Sequence, residues 1–123
     1  MTSASVRKVL VIDDDPGIRD FVVNHLRDAG LETAEAPDGE SGLAALEGFE
    51  PDLLIIDYRL PGMNGGEVGT RARARLPKAP IIFISGYMDE IGEARALRAL
   101  VLRKPFLSFD LQSALNEAWR QRL

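Results

Sequence analysis

The sequence predicts an α/β fold in which five parallel strands form one sheet with helices on both faces. Strand-like and helix-like segments alternate five times along the 123 residues, and this alternation is typical of parallel sheets with right-handed crossover helices. Three of the strand-like segments, KVLVID, PDLLIID and PIIFIS, are almost continuously apolar. Strands buried on both faces have this composition because neither face meets solvent. The sequence shows no internal repeat or linker, so we expect one domain.

The first half of the chain contains two strand–helix units. KVLVID is predicted as a buried strand, and Pro16 then opens a helix at a position where the missing N–H of proline costs nothing. Gly30 ends this helix, whose apolar stripe is formed by Ile18, Phe21, Val22, Leu26 and Ala29. ETAEA is a weaker strand typical of a sheet edge. The second helix is predicted over PDGESGLAALEGF and begins at Asp38 or Gly39.

The second half of the chain repeats the same pattern. PDLLIID is a buried strand that ends at Asp57, and the turn-rich PGMNGG leads to a helix with apolar Val68, Ala72 and Leu76. PIIFIS ends at Ser85, and a helix is predicted from about residue 89 to residue 100. VLRKP is a short strand closed by Lys104 and Pro105. The last helix carries Leu111, Leu115, Ala118 and Trp119.

Composition excludes several classes of function. The chain has no cysteine, which rules out a thiol nucleophile and zinc–thiolate sites. Its net charge of −4 argues against nucleic acid as a direct partner, because phosphate backbones favour a basic surface. No apolar run approaches the ~20 residues that span a bilayer, and MTSASVRK lacks the apolar segment of a signal peptide. We therefore expect a cytoplasmic protein that does not insert into membranes.

Polar side chains stand at the carboxyl end of each major strand. The first strand delivers Asp13 and Asp14, the third Asp57, the fourth Ser85 and the fifth Lys104. The carboxyl ends of parallel strands share one edge of the sheet, where ligands bind in open α/β folds. Converging carboxylates need a positive partner, and an all-oxygen set suits Mg²⁺. Asp57 is then the natural nucleophile for an aspartyl phosphate, with the hydroxyl and the ammonium group facing the phosphoryl oxygens.

The segments VLVIDDD, PDLLIIDYRLPGMNG, PIIFISGY and LRKPF resemble the receiver domain of bacterial two-component response regulators. The resemblance covers essentially the whole chain, with every motif in family order. It implies a doubly wound, flavodoxin-like sheet with strand order 2-1-3-4-5. It also implies a single receiver domain over residues 1–123, with a lead-in over 1–6, a core over about 7–122 and no output domain.

The resemblance assigns the metal site residue by residue. Asp57 matches the phosphoacceptor, which also ligates the metal, and Asp14 matches a direct metal ligand. The main-chain carbonyl of Arg59 matches the third protein ligand, and Asp13 matches the acidic residue that holds a metal-bound water. The metal that the family uses is Mg²⁺, which Mn²⁺ could replace.

The resemblance also assigns the residues around the phosphoryl group. Ser85 matches the switch hydroxyl, Lys104 matches the lysine that pairs with the phosphoryl group, and the Lys104–Pro105 peptide bond matches a cis bond. The chain departs from the family at Val101, where a switch aromatic is usual, and Tyr87 is a possible substitute ring. Arg59 and Tyr87 are bulky at positions that flank the hydrolytic water, so we expect slow self-dephosphorylation.

The segment between Ser85 and Lys104 is about one helical turn (~3–4 residues) shorter than is usual in the family. The shortening falls on the fourth helix, which we therefore expect to be irregular. A partner contact on the first and fifth helices then becomes comparatively more favourable.

Residues outside these motifs have simpler interpretations. Asp15 is predicted to cap the helix that begins at Pro16. The single histidine, His25, lies off the apolar stripe and is predicted to be solvated, and Trp119 is predicted to pack on the core or its rim. Arg71, Arg73 and Arg75 are predicted to form a solvated surface.

Three functions remain open from the sequence. The first is a stand-alone receiver, or one cut from a hybrid kinase, which accepts phosphoryl from a histidine kinase or a histidine phosphotransfer protein. It would act on an unknown downstream protein as a monomer or weak phosphorylation-dependent dimer, and would catalyse only its own phosphorylation and dephosphorylation. The second is a degenerate receiver that binds its partner constitutively. The third is an aspartate-nucleophile phosphatase of the haloacid dehalogenase type, although DDDPG lacks the Thr/Val of that motif.

Overall fold

A computed structural model describes residues 6–86 and 91–121 and shows five parallel strands between two layers of helices. The strand order is β2-β1-β3-β4-β5, which confirms the predicted fold class and order. The elements in chain order are β1 Lys8–Ile12, α1 Pro16–Asp28, β2 Glu32–Ala36, α2 Gly39–Phe49, β3 Leu53–Asp57, α3 Gly65–Arg75, β4 Ile81–Ser85, α4 Glu93–Leu97, β5 Leu100–Arg103 and α5 Ser108–Arg120.

The sheet separates two apolar clusters, one on each face. Successive side chains of a strand point to opposite faces, so Val9 and Val11 pack against α1 and α5, whereas Leu10 and Ile12 pack against α2 and α3. Each fully buried side chain of this kind contributes about 1.5–3 kcal/mol. Burial of both faces explains why β1, β3 and β4 are almost continuously apolar in the sequence.

Side-chain caps fix where the helices begin. Oδ1 of Asp15 accepts hydrogen bonds from the N–H groups of Gly17 at 2.9 Å and Ile18 at 3.3 Å, which confirms its predicted role as the cap of α1. Asp38 and Asn64 cap α2 and α3 in the same way. These caps satisfy N–H groups that have no partner within the helix. They thereby fix the ends of the loops that connect β1 to α1, β2 to α2 and β3 to α3.

The fourth helix is shorter than the predicted span of residues 89–100. It covers five residues, Glu93–Leu97, whereas α1 and α5 have thirteen each. Arg98 ends it in a left-handed conformation (φ 55°), and Leu100 already belongs to β5. The end of the span at residue 100 was therefore wrong, while its start at residue 89 lies outside the described residues. The shortness agrees with the expected irregular fourth helix.

The surface predictions had mixed outcomes. His25 is not fully solvated, since its Nε2 lies 2.8 Å from Oε1 of Gln112 on α5. That prediction was wrong because α5 packs beside α1 on the same face of the sheet. Trp119 packs against the α1–α5 cluster, and the guanidinium of Arg7 lies 4.3 Å from its ring centroid, which confirms the packing role.

Arg73 was also wrongly predicted to be solvated. Its half-buried guanidinium donates hydrogen bonds to the carbonyls of Leu76, Ala79 and Leu97. The prediction holds for Arg71 and Arg75, which are exposed. Across residues 6–86 and 91–121, none of the helices is long and apolar enough to cross a membrane.

Candidate functional site

The candidate site lies at the edge of the sheet where the parallel strands end. Asp13 directly follows β1, Asp57 is the last residue of β3, Ser85 is the last residue of β4, and Lys104 directly follows β5. In the register of the sheet, Asp57 pairs with Ile84, one residue before Ser85. The fold therefore gathers at one edge residues that are up to 91 positions apart (104 − 13).

Three carboxylates meet at this edge. One oxygen from each of Asp13, Asp14 and Asp57 lies within 4.8 Å of the others. Asp13 and Asp57 are buried, with 0% and 3% of their surface exposed, whereas Asp14 is exposed. The cluster is therefore anchored in the sheet and open to solvent on the Asp14 side.

Burial places these carboxylates in an unusual electrostatic environment. Burial raises the pKa of Asp13 from 3.8 to about 7, against the hydrogen bond from the N–H of Asp15, and the nearby charge of Asp57 adds to the rise. Burial also raises the pKa of Asp57, opposed by the N–H of Arg59 and the charge of Lys104. The ionised cluster is thus short of positive charge.

Each carboxylate oxygen of Asp57 has a specific partner. Oδ1 accepts a hydrogen bond from the N–H of Arg59 at 3.1 Å, and Oδ2 lies 3.5 Å from Nζ of Lys104. The side chain of Lys104 is 31% exposed, so the ion pair can be reached from solvent. The N–H of Lys104 also donates to the carbonyl of Ser85 at 2.8 Å, and the Lys104–Pro105 peptide bond is cis.

The donor set fits a hard divalent cation. Oδ2 of Asp13 is a buried carboxylate oxygen with no hydrogen-bond partner among the described residues, and such an atom is costly to leave unsatisfied. The three carboxylates supply only oxygen donors, which Mg²⁺ prefers, and Mg²⁺ characteristically retains several waters of its own.

Val101, where the chain departs from the family pattern, lies on β5, which pairs with the strand that ends at Ser85. Val101 pairs with Phe83 in the β4–β5 register and is partly exposed, and it offers no hydrogen-bonding side chain. The hydroxyl of Ser85 instead contacts Arg103, whose Nη1 lies 3.1 Å from Oγ. Tyr87, the possible substitute ring, lies outside the described residues.

Sequence reasoning missed two arginines near the site. Arg103 was overlooked, although it directly precedes Lys104 and pairs with Ser85 in the register. Arg19 was also overlooked: its Nη1 donates to the main-chain carbonyl of Asp13, and its Nε donates to Glu35 at 3.1 Å. The only signal in the sequence was the position of Arg19 one helical turn after the Asp15 cap.

Gly65 and Tyr58 constrain the loop that follows β3. A Cβ atom at Gly65 would lie 2.5 Å from Cα of Tyr58, and closer still to the carbonyl oxygen of Asp57. The hydroxyl of Tyr58 donates to Oε1 of Glu93 at 2.9 Å and so joins this loop to α4. The loop that follows Asp57 is therefore constrained at Gly65 and joined to α4 through Tyr58.

Cavity size alone does not identify this site. A cavity of about 510 Å³ opens at the opposite end of the sheet, with Lys78, Ile81, Arg95 and Leu100 among its lining residues. None of the clustered carboxylates lines it. The convergence of carboxylates and an ammonium group at the strand ends identifies the candidate site instead.

Known proteins resemble this chain in sequence. The DNA-binding response regulator MtrA of Mycolicibacterium smegmatis is 31% identical over 118 residues, which cover 94% of this chain and 51% of MtrA. Sporulation initiation phosphotransferase F of Bacillus subtilis is 30% identical over 113 residues, which cover 89% of this chain and 91% of that protein. The chain thus spans about half the length of the MtrA relatives.

Solved structures resemble it in fold. Chemotaxis response regulator CheY4 of Vibrio cholerae superposes with a TM-score of 0.86 at 31% identity, covering 93% of this chain and 99% of CheY4. A CheY-like receiver domain protein of Methanospirillum hungatei superposes with a TM-score of 0.87 at 28% identity, covering 95% and 97%. The sequence model described as the response regulator receiver domain matches residues 9–116. The chain therefore belongs to the response regulator receiver domains of two-component signalling systems.

Proposed function

We propose that this domain is a phosphorylation-dependent switch that accepts a phosphoryl group on Asp57 from a histidine kinase or a histidine phosphotransfer protein. One observation carries the proposal. The buried carboxylate of Asp57 has Lys104 at 3.5 Å on one oxygen and stands within 4.8 Å of two further carboxylates. A nucleophile, a phosphoryl-binding cation and a cation-binding cluster thus lie together.

The transfer replaces one phosphorus bond with another. A carboxylate oxygen of Asp57 attacks the phosphorus, and the P–N bond to the donor histidine breaks, with its electron pair returning to the imidazole ring. The product is an acyl phosphate. Lys104 neutralises charge on the phosphoryl oxygens, and the hydroxyl of Ser85 donates to one of them. Because little covalent chemistry falls to the protein, positioning and electrostatics supply most of the rate.

Mg²⁺, which Mn²⁺ could replace, completes the proposed site. Asp14, Asp57 and the main-chain carbonyl of Arg59 would hold it directly, and Asp13 would hold it through a water. When bound, it supplies the positive charge that the ionised cluster lacks and that the phosphoryl oxygens need. Oδ2 of Asp13, which has no hydrogen-bond partner among the described residues, supports this assignment.

An apolar surface beside Lys104 suits a helical phosphodonor. The rings of Phe21 and Phe106 meet edge to face at 6.0 Å and line a cavity of about 310 Å³ that also includes Lys104. Next to it, Leu107 and Phe109 are 72% and 75% exposed. A partner helix can place its apolar face against such a surface. This location agrees with the expected partner contact on the first and fifth helices.

A small phosphodonor tests the central proposal. Incubation with acetyl phosphate and Mg²⁺ should give an acid-stable, base-labile adduct by mass, and Asp57→Asn should abolish it. Steady phosphate release from many substrates would instead favour the phosphatase. Absence of the adduct, with a partner still bound, would favour the degenerate receiver. That receiver is the second candidate because β5 carries the aliphatic Val101 where an aromatic residue is usual.

A second experiment tests the docking surface. Leu107→Ser and Phe109→Ser should slow transfer from a histidine phosphotransfer protein while leaving the acetyl phosphate reaction unchanged. Leu43→Ser, on the half-buried face of α2, is not suitable as a control because it would perturb the core. Glu47→Ser on the exposed side of α2 is the matched control. Equal slowing with both donors would argue against a docking role.

The remaining expectations belong to the same proposal. We propose that the domain acts in the cytoplasm through protein contacts, without direct nucleic-acid binding, as a monomer or weak phosphorylation-dependent dimer. We also propose that it catalyses only its own phosphorylation and slow dephosphorylation. Arg59→Asn should accelerate decay of the adduct if the bulk of Arg59 shields it from water; unchanged decay would reject that role.

A further inference from the structure

The hydroxyl of Ser85 is held by an arginine on the neighbouring strand. Ser85 is completely buried, and its Oγ accepts a hydrogen bond from Nη1 of Arg103 at 3.1 Å. The same nitrogen donates to the carbonyl of Gly86 at 3.0 Å, and Oγ of Ser85 lies 3.4 Å from that carbonyl. One guanidinium nitrogen thus joins the hydroxyl to the backbone at the end of β4.

This contact restricts what the hydroxyl can do. A serine hydroxyl has one proton to donate and two lone pairs that accept. Arg103 occupies one lone pair, and the proton is directed at the carbonyl of Gly86. To donate to a phosphoryl group on Asp57, the hydroxyl must turn this proton away from Gly86. The hydrogen bond from Arg103 opposes that turn.

Two successive residues of the β5 end face the two halves of the site. Ser85 pairs with Arg103 across the β4–β5 ladder, and the next residue, Lys104, lies against Asp57. Successive side chains along a strand diverge, so Lys104 reaches the carboxylate while Arg103 reaches the hydroxyl from the partly solvated side. The side chain of Val101 has no polar group that could contact either the carboxylate of Asp57 or the hydroxyl of Ser85.

We propose that Arg103 is a positioning residue that holds Ser85 in its unphosphorylated arrangement, and that phosphorylation of Asp57 draws the hydroxyl away and frees the guanidinium from it. The inference rests on the proposed function. Arg103 then couples the state of the buried site to the exposed edge of β5. It would take the part that an aromatic side chain at the position of Val101 plays in the usual family pattern. The change at Asp57 reaches the surface through one hydrogen bond.

The rate of phosphorylation measures this restraint. Arg103→Met keeps an unbranched apolar stem and removes the guanidinium donor. It should raise the rate of adduct formation with acetyl phosphate and saturating Mg²⁺ about fivefold. A change of this size is expected when the net stabilisation from one ordinary hydrogen bond is lost. Arg103→Lys keeps a charged donor and should restore a rate closer to that of the wild type. Arg95→Met removes an exposed arginine of α4 and controls for net charge.

A double-mutant cycle isolates the path through Ser85. Ser85→Ala and the Ser85→Ala/Arg103→Met pair are compared with the single variant, and thermal unfolding checks that all are folded. We expect the effect of Arg103→Met to vanish in the Ser85→Ala background. Arg103→Leu, which also lacks a side-chain donor, serves the same comparison if Arg103→Met does not fold.

The outcomes separate this inference from the proposed function. An equal effect of Arg103→Met in both backgrounds, or no effect in either, would overturn the role of Arg103 while Asp57 still forms its adduct. Absence of the Asp57 adduct in every variant, the wild type included, would overturn the proposed function and this inference together.

Discussion

Nζ of Lys104 lies 3.5 Å from Oδ2 of Asp57, and this pair joins the ends of two strands that do not pair with each other. The carboxylate is buried, whereas the lysine is 31% exposed. The partner oxygen, Oδ1, is held by the N–H of Arg59. The carboxylate is thus oriented from both sides, and its cation is partly open to solvent.

Replacing Lys104 should slow phosphorylation without abolishing the fold. Lys104→Ala should lower the rate of adduct formation by about tenfold or more, because loss of one group that stabilises developing charge costs about 10²–10³ in enzyme sites. The measurement is the initial rate with acetyl phosphate at fixed Mg²⁺. Lys78→Ala, at the opposite end of the sheet, is the matched control. An unchanged rate in Lys104→Ala would remove the lysine from the proposed chemistry.

Neutralising Asp13 should stabilise the protein in the absence of divalent cations. At a pH above the raised pKa of about 7, where Asp13 is ionised, Asp13→Asn keeps the acceptor for the N–H of Asp15 and removes one of three clustered charges, so the free energy of unfolding in EDTA should rise by about 1–2 kcal/mol. Added Mg²⁺ should stabilise the wild type more than the variant. Urea unfolding with and without Mg²⁺ measures both. Asp20→Asn, on the exposed face of α1, is the control, and lower stability of Asp13→Asn in EDTA would contradict the repulsion.

The sheet and its polar edge could be predicted because both follow from local patterns. The runs that became β1, β3 and β4 are apolar enough to require burial on both faces. The carboxyl ends of parallel strands share one edge of the sheet. The convergence of Asp13, Asp57 and Lys104 could therefore be predicted without knowing any distance. Their assignment as the ends of strands was sufficient.

The remaining features depend on contacts that local sequence does not encode. Arg103 meets Ser85 only through the register of β4 with β5, and His25 meets Gln112 across 87 positions. The end of α4 was misplaced because EARALRAL continues a helical pattern past Arg98, where the backbone turns left-handed. In each case tertiary packing overrides the local pattern.

Adding a methyl group at Gly65 should disturb the loop that follows Asp57. The new Cβ would lie 2.5 Å from Cα of Tyr58, and backbone atoms cannot move aside as a flexible side chain can. Gly65→Ala should therefore lower the free energy of unfolding by about 1–3 kcal/mol and slow phosphorylation of Asp57. Gly48→Ala in α2 is the control, because its Cβ would meet nothing within 4 Å. If the two variants behave alike in unfolding and phosphorylation, the close approach is not constraining.

The cap of α2 should make stability depend on acid pH. The N–H and hydroxyl of Ser41 donate to Oδ1 of Asp38 at 2.8 Å and 2.7 Å and lower the pKa of that carboxyl below 3.8. Because the folded pKa is depressed, the stabilisation is present above the unfolded value of 3.8 and is lost as the pH falls through the folded pKa. The stability difference between wild type and Asp38→Ala should therefore be constant near neutral pH and shrink in acid. Asp20→Ala serves as the control, and a difference that does not shrink would contradict the carboxylate cap.

The hydroxyl of Tyr58 should hold α4 against the loop that follows Asp57. It donates to Oε1 of Glu93 at 2.9 Å, while the ring packs edge to face on Phe83 at 5.8 Å. Tyr58→Phe keeps the ring and removes the hydrogen bond, so unfolding should become easier by about 1 kcal/mol.

The local effect distinguishes this hydrogen bond from general destabilisation. Amide hydrogen exchange should accelerate most in α4, because a helix of five residues has little stability of its own. Glu93→Gln keeps an acceptor for the hydroxyl and should show a smaller change. Uniform acceleration across α1 and α5 as well would show that Tyr58 contributes only to global stability and does not join the Asp57 loop to α4.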